Sequence, residues 1–94
     1  MDTERERIHE VCAAFGNAIA EHMIGNGRGV DWSIADDAFL AMRCEQEVAE
    51  LRYEIDYVGR TGGRRDALDV AAFAMMIWDN LQRKELAAEK KLHK

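Results

Sequence analysis

Apolar residues recur every three or four positions in three stretches of this chain, and clusters of glycine separate the stretches. That period is helical. In the first stretch Ile8, Val11, Cys12, Phe15, Ile19 and Met23 fall on one stripe, which predicts a helix over about residues 3–23. Thr3 and Glu6 have capping-box spacing at its start. Glu4, Arg7, Glu10 and Glu21 lie largely off the stripe as a solvated face. Gly25-Asn26-Gly27-Arg28-Gly29 then reads as a helix-ending loop, since it lacks a phosphate-cradling GxxxxGK[ST] pattern.

The second stretch predicts a helix over about residues 33–58. Ser33 is the expected N-cap, Asp36 and Asp37 suit the dipole of the first turn, and Leu40, Cys44, Val48, Leu51, Ile55 and Val58 form the stripe. Gly59 and Gly62-Gly63 break the pattern again, and a third helix is predicted over about residues 64–90. From 67 to 78 this helix is apolar at every position except Asp69. A helix apolar on all sides is buried on all sides, and three helices of one small chain give too little cover. A second copy of the chain is expected to supply the missing wall. The expected fold is therefore all-α: three main helices in a single domain, residues 1–94, forming an oligomeric four-helix-bundle-like core, dimer or tetramer.

Composition narrows the function. The 94 residues are 48% hydrophobic and 33% charged, in the range of ordered globular chains. No apolar run approaches the roughly 20 residues of a membrane span, and no signal-like segment opens the chain, so a cytoplasmic protein with no membrane partner is expected. Thirteen Lys and Arg against eighteen Asp and Glu leave a net charge of -5, so no nucleic-acid partner is expected. Cys12 and Cys44 lie apart among apolar residues and read as reduced core thiols. His9, His22 and His93 have no metal-ligand spacing, which argues against zinc.

The carboxylates carry the candidate chemistry. Residues 31–56 hold eight acids and only two bases, Arg43 and Arg52. Asp69 sits inside the most hydrophobic stretch, where an ionised carboxylate requires a proton, a base or a metal. Asp66, Phe73, Met76 and, three turns on, Asn80 share its face. Glu47 and Glu50 form a matching pair on the second helix, continued by Glu54. Antiparallel packing through the glycine turn would bring both pairs to one end. Four facing carboxylates make an oxygen-only site suited to Mg²⁺ or Mn²⁺. A salt bridge from Asp69 to Arg43 or Arg52 is the structural alternative. Arg64 and Arg65, with Arg60, flank the turn and read either as solvated or as holders of a triphosphate tail. Phe73 and Trp78 suit core packing better than base stacking, while Asn80 needs a polar partner of either kind.

Gln46-Glu47-Val48-Ala49-Glu50-Leu51 followed by Asp66-Ala67-Leu68-Asp69-Val70 resembles the all-α nucleoside triphosphate pyrophosphohydrolases, the MazG-like group. Their signature is ExxE, a variable spacer, then ExxD, with text close to EEVGELAE and ELADVL. The run from Asp69 to Asn80 resembles the last core helix of small members, and the resemblance spans about residues 39–81. Asp66 stands where the group usually has Glu, Ala49 replaces a frequent Gly, and the chain is short for the group. The resemblance implies a Mg²⁺-dependent enzyme, with Mn²⁺ as a possible substitute, that cleaves a nucleoside triphosphate to the monophosphate and pyrophosphate. It implies Glu47, Glu50 and Asp69 as metal ligands and catalytic residues, Asp66 as a weaker ligand, and no separate base. Arg64, Arg65, Phe73 and Asn80 become the candidate substrate contacts. The rival expectation is a non-enzymatic acidic helical protein that binds a protein partner or mimics nucleic acid.

Overall fold

The computed structural model describes residues 2–26, 31–59 and 62–92. Every regular element among them is helical, and none of the helices is long and apolar enough to cross a membrane. The chain divides into two units, Met1–Val30 and Asp31–Lys94. The expected loop residues Gly27 to Gly29, together with Arg60, lie outside the described residues.

The first unit is one helix, α1 (Asp2–Gly25), with Asp2 and Glu4 in its first turn and His22 in its last. Acids at the start and a basic side chain at the end suit the helix dipole. Asn26 N–H closes the end on His22 O at 3.1 Å. Met23 is buried and Ile19 half-buried, but Ile8, Val11 and Phe15 are exposed. Cys12 is exposed as well, which corrects its reading as a core thiol. The reason is physical: a lone helix carries no second surface of its own against which to bury a stripe.

The second unit opens with a 3₁₀ turn, Trp32–Ile34, capped by Asp31, whose carboxylate accepts from Ser33 N–H at 3.0 Å. Helix α2 (Asp37–Tyr53) follows. Its N-cap is Asp36, not Ser33: the Asp36 carboxylate accepts from Ala38 N–H at 3.2 Å. Ser33 is spent inside the preceding turn. Beyond Tyr53 the helix widens into a π turn, Glu54–Val58, and ends where Gly59 N–H reaches Glu54 O at 2.7 Å. Gly59 has φ 64°, a left-handed conformation that glycine adopts without steric cost. Helix α3 (Gly62–Leu92) starts two residues before its expected first residue.

Helices α2 and α3 run antiparallel. Leu51 lies beside Gly63 near the turn, Cys44 Sγ reaches Val70 O at 3.7 Å midway, and Asp37 meets Asn80 at the far end. Leu40, Ala72, Phe73 and Met76 form the apolar core, and Glu47 and Asn80 are buried with them. The face of α2 that meets α3 is rotated from the expected stripe. At about 100° per residue, Glu47 stands about 20° around the helix from Leu40, whereas Val48 stands about 80° away on the other side. Glu47 is accordingly 4% exposed while Val48 is 46% exposed, and Ile55 and Val58 are exposed too. Helix α3 is not covered all round: Ala74 is exposed and Trp78 is 62% exposed.

Candidate functional site

The site forms where the ExxE turn of α2 crosses the DxxD turn of α3. Glu47 is its buried centre. Its pKa is raised, first by loss of solvent, then by a hydrogen bond with Glu50, then by the negative charges of Glu50 and Asp69; Arg43 opposes the shift. A carboxyl that leaves water beside two other acids favours its neutral form over the ionised one, because loss of solvent and the neighbouring charges both penalise ionisation. Glu50 and Asp69 therefore both lie close enough to act on Glu47, as the spacing of the acids on two antiparallel helices predicts.

Asp66 and Glu50 share a neighbouring surface. Ala49, Glu50, Tyr53, Glu54 and Asp66 line an open cleft of about 370 Å³. The Glu54 carboxylate rests against Gly62, and a Cβ on that glycine would stand 2.9 Å from Glu54 Oε2. Glu54 thus places negative charge at the N-terminal end of α3, where unpaired backbone N–H groups favour it. Tyr53, at the cleft wall, stacks on Tyr57 with ring centroids 5.1 Å apart. Neither tyrosine belongs to the expected set, and their four-residue helical spacing is the only sequence signal for the pair.

Arg43 borders the buried acid. Its Nη2 donates to Glu47 Oε1 at 3.2 Å, its Nη1 donates to Gln46 Oε1, and its guanidinium carbon lies 5.3 Å from the centre of the Phe73 ring. Arg52 pairs with Asp56 at 3.2 Å on an exposed face. Phe73 is buried, and its ring supports Arg43.

The remaining expected contacts lie elsewhere. Arg64 and Arg65 are exposed in the first turn of α3, next to Asp66 in sequence. Asn80 is not brought to the acids: eleven residues of helix at 1.5 Å each put it about 16 Å along α3 from Asp69. There it is 5% exposed and fully engaged. Its Nδ2 donates to Trp32 O and to Asp37 Oδ1, both at 3.2 Å, and its Oδ1 accepts from Arg83 at 2.9 Å. Trp32 Nε1 donates to Asp79 Oδ2 at 2.9 Å, and Lys84 pairs with Asp37, so a polar clasp ties the 3₁₀ turn to α3. The Lys84 and Asn80 hydrogen bonds hold the Asp37 pKa below its ordinary value.

The donor set suits a hard divalent cation, being carboxylate oxygen throughout. Among the described residues no three Asp, Glu, His or Cys side chains stand arrayed as a ready-made metal site. The fit therefore rests on the nearness of Glu47, Glu50 and Asp69. Comparison of the chain with protein families, curated proteins and solved structures finds no match.

Proposed function

We propose that the chain is a Mg²⁺-dependent nucleotide pyrophosphohydrolase of the MazG-like kind, cleaving a nucleoside triphosphate to the monophosphate and pyrophosphate. One observation carries this reading: Glu47, buried at the helix crossing, has its pKa raised by loss of solvent and by the Glu50 and Asp69 beside it. A buried carboxyl with other acids beside it is costly to folding, and such groups cluster where chemistry is done. Glu47, Glu50 and Asp69 would hold the ion, with the shorter Asp66 assisting from the cleft. Bound there, Mg²⁺ or Mn²⁺ supplies the charge that lets a triphosphate approach carboxylates, and polarises the α-phosphoryl group. The carboxylates orient a water for in-line attack at the α-phosphorus and accept its proton as pyrophosphate leaves. Arg64 and Arg65 receive the phosphate tail from the turn. Asn80 is assigned to the clasp rather than to the substrate.

The same reading includes assembly. Val48, Ile55, Trp78 and Leu81 are large apolar side chains left exposed on α2, its π turn and α3. Two copies packing their α2–α3 pairs would cover such faces and give a four-helix core. The protein would then work as a dimer or tetramer in the cytoplasm, with its substrate. Those exposed faces also favour the rival reading, a helical protein that binds another protein and catalyses nothing. A panel of ribo- and deoxyribonucleoside triphosphates with Mg²⁺, scored for pyrophosphate, separates the two. Release of pyrophosphate with equimolar monophosphate, abolished by Glu47→Gln, is the expected result. No release from any member defeats the hydrolase and leaves the interaction protein.

A further inference from the structure

On the reading of the acids at the helix crossing as a divalent-cation centre, we propose that Arg43 is its resident countercharge: a positioning residue that holds the buried Glu47 in place until the ion arrives. The guanidinium is fixed from three sides. It donates to Glu47 Oε1 at 3.2 Å and to Gln46 Oε1, and it lies over the Phe73 ring at 5.3 Å. Glu47 and Gln46 belong to α2, whereas Phe73 belongs to α3, one turn after Asp69. Arg43 is thereby referenced to both helices that carry the acids. A planar, delocalised cation makes a forked contact and a ring contact together; an ammonium does not reproduce the pair.

With the ion absent, Arg43 donates a hydrogen bond to the buried carboxylate and sets a positive charge beside it. With the ion bound, that duty passes largely to the ion. Arg43 therefore contributes more to the metal-free protein than to the loaded one.

The test compares melting temperatures of the whole chain in EDTA and in 10 mM Mg²⁺, for wild type, Arg43→Met and Arg43→Lys. Methionine keeps apolar volume on Phe73 and removes the charge; lysine keeps the charge and loses the fork. In EDTA the methionine variant is expected to fall by roughly 4–8 °C, the response of a domain this size to one lost net interaction. In Mg²⁺ more than half of that loss is recovered, so the Mg²⁺-induced rise exceeds the wild-type rise, with lysine between the two. Equal losses in EDTA and Mg²⁺ overturn the proposal and make Arg43 an ordinary structural partner. If methionine does not fold, the lysine variant decides: its Mg²⁺-induced rise must exceed that of wild type. A wild type that does not respond to Mg²⁺ or Mn²⁺ defeats the metal centre itself, an outcome distinct from failure of Arg43 alone.

Discussion

Trp32 and Asp79 are joined by a 2.9 Å hydrogen bond from the indole Nε1, across 47 residues of sequence. Asp79 also accepts from Arg83 at 2.7 Å, and its neighbour Asn80 accepts from the same Arg83 nitrogen while donating to Trp32 O. The clasp so formed fixes the entry to α2 and, through it, the register in which α2 meets α3. Trp32→Phe removes one donor and leaves Asp79 paired with Arg83, so it should cost about 1 kcal/mol. Asn80→Ala strips one acceptor and two donors from a buried position and should cost about 2–3 kcal/mol. Urea denaturation of both variants checks the order. A smaller loss for Asn80→Ala than for Trp32→Phe would show that the amide is not the centre of the clasp.

Glu47 makes stability depend on pH with a definite sign. Its folded pKa is raised above its ordinary value of 4.5. Between those two values the folded state holds a proton that the unfolded state has released. Stability of the metal-free protein should therefore fall as pH rises from about 4.5 through the folded value. Asp37 acts in the opposite sense. Its folded pKa lies below 3.8, so its contribution is present above 3.8 and is lost as pH falls through the folded value. Thermal melts in EDTA across pH 3–8 should show a maximum on the acid side of neutrality. Glu47→Gln should remove the decline on the alkaline side and leave the acid side unchanged.

The sequence pattern carries the helices well because each is long, periodic and bounded by glycine. It carries the facing of α2 less well. The expected stripe through Val48 and Ile55 follows hydrophobicity, but the helix turns its Glu47 side to α3. A buried carboxylate contradicts the rule that apolar side chains choose the buried face, so no apolar pattern reveals it. The meeting of the acids was legible from ExxE, a short turn and DxxD, because spacing along two antiparallel helices determines which turns cross. The Asp36 cap was not legible, since Ser33 and Asp36 are both good caps and only the 3₁₀ turn between them decides. Nor was the use of Asn80 legible: its partners Trp32 and Asp37 lie more than forty residues away.

Assembly should be visible in mass. Trp78 is 62% exposed and Leu81 47% exposed on α3, and large apolar side chains grouped in this way mark interaction surfaces. Light scattering at micromolar concentration should return two or four times the 10.7 kDa chain mass. Trp78→Glu places a charge on the face proposed to be shared and should shift the population toward the single chain, with helicity retained. A wild-type mass of one chain would remove assembly from the proposed function and leave those side chains to another partner.

Asp69→Asn separates the metal reading from a purely structural one. The side chains have nearly the same shape, so packing survives the change. Asp69 is one of the charges that raises the Glu47 pKa, and its neutralisation relieves the repulsion at the buried crossing. In EDTA the variant should melt no lower than wild type. With Mg²⁺ the two proteins should diverge. Wild type gains stability as RT ln(1 + [L]/Kd), about 2.7 kcal/mol at a hundredfold excess over Kd. The variant, short of one anionic ligand, should gain much less and release no pyrophosphate. If Asp69 instead neutralises a cation in the core, the same change leaves that cation without its partner and should cost roughly 3–5 kcal/mol in EDTA. The two readings predict opposite shifts for the metal-free protein, so one pair of melts decides between them.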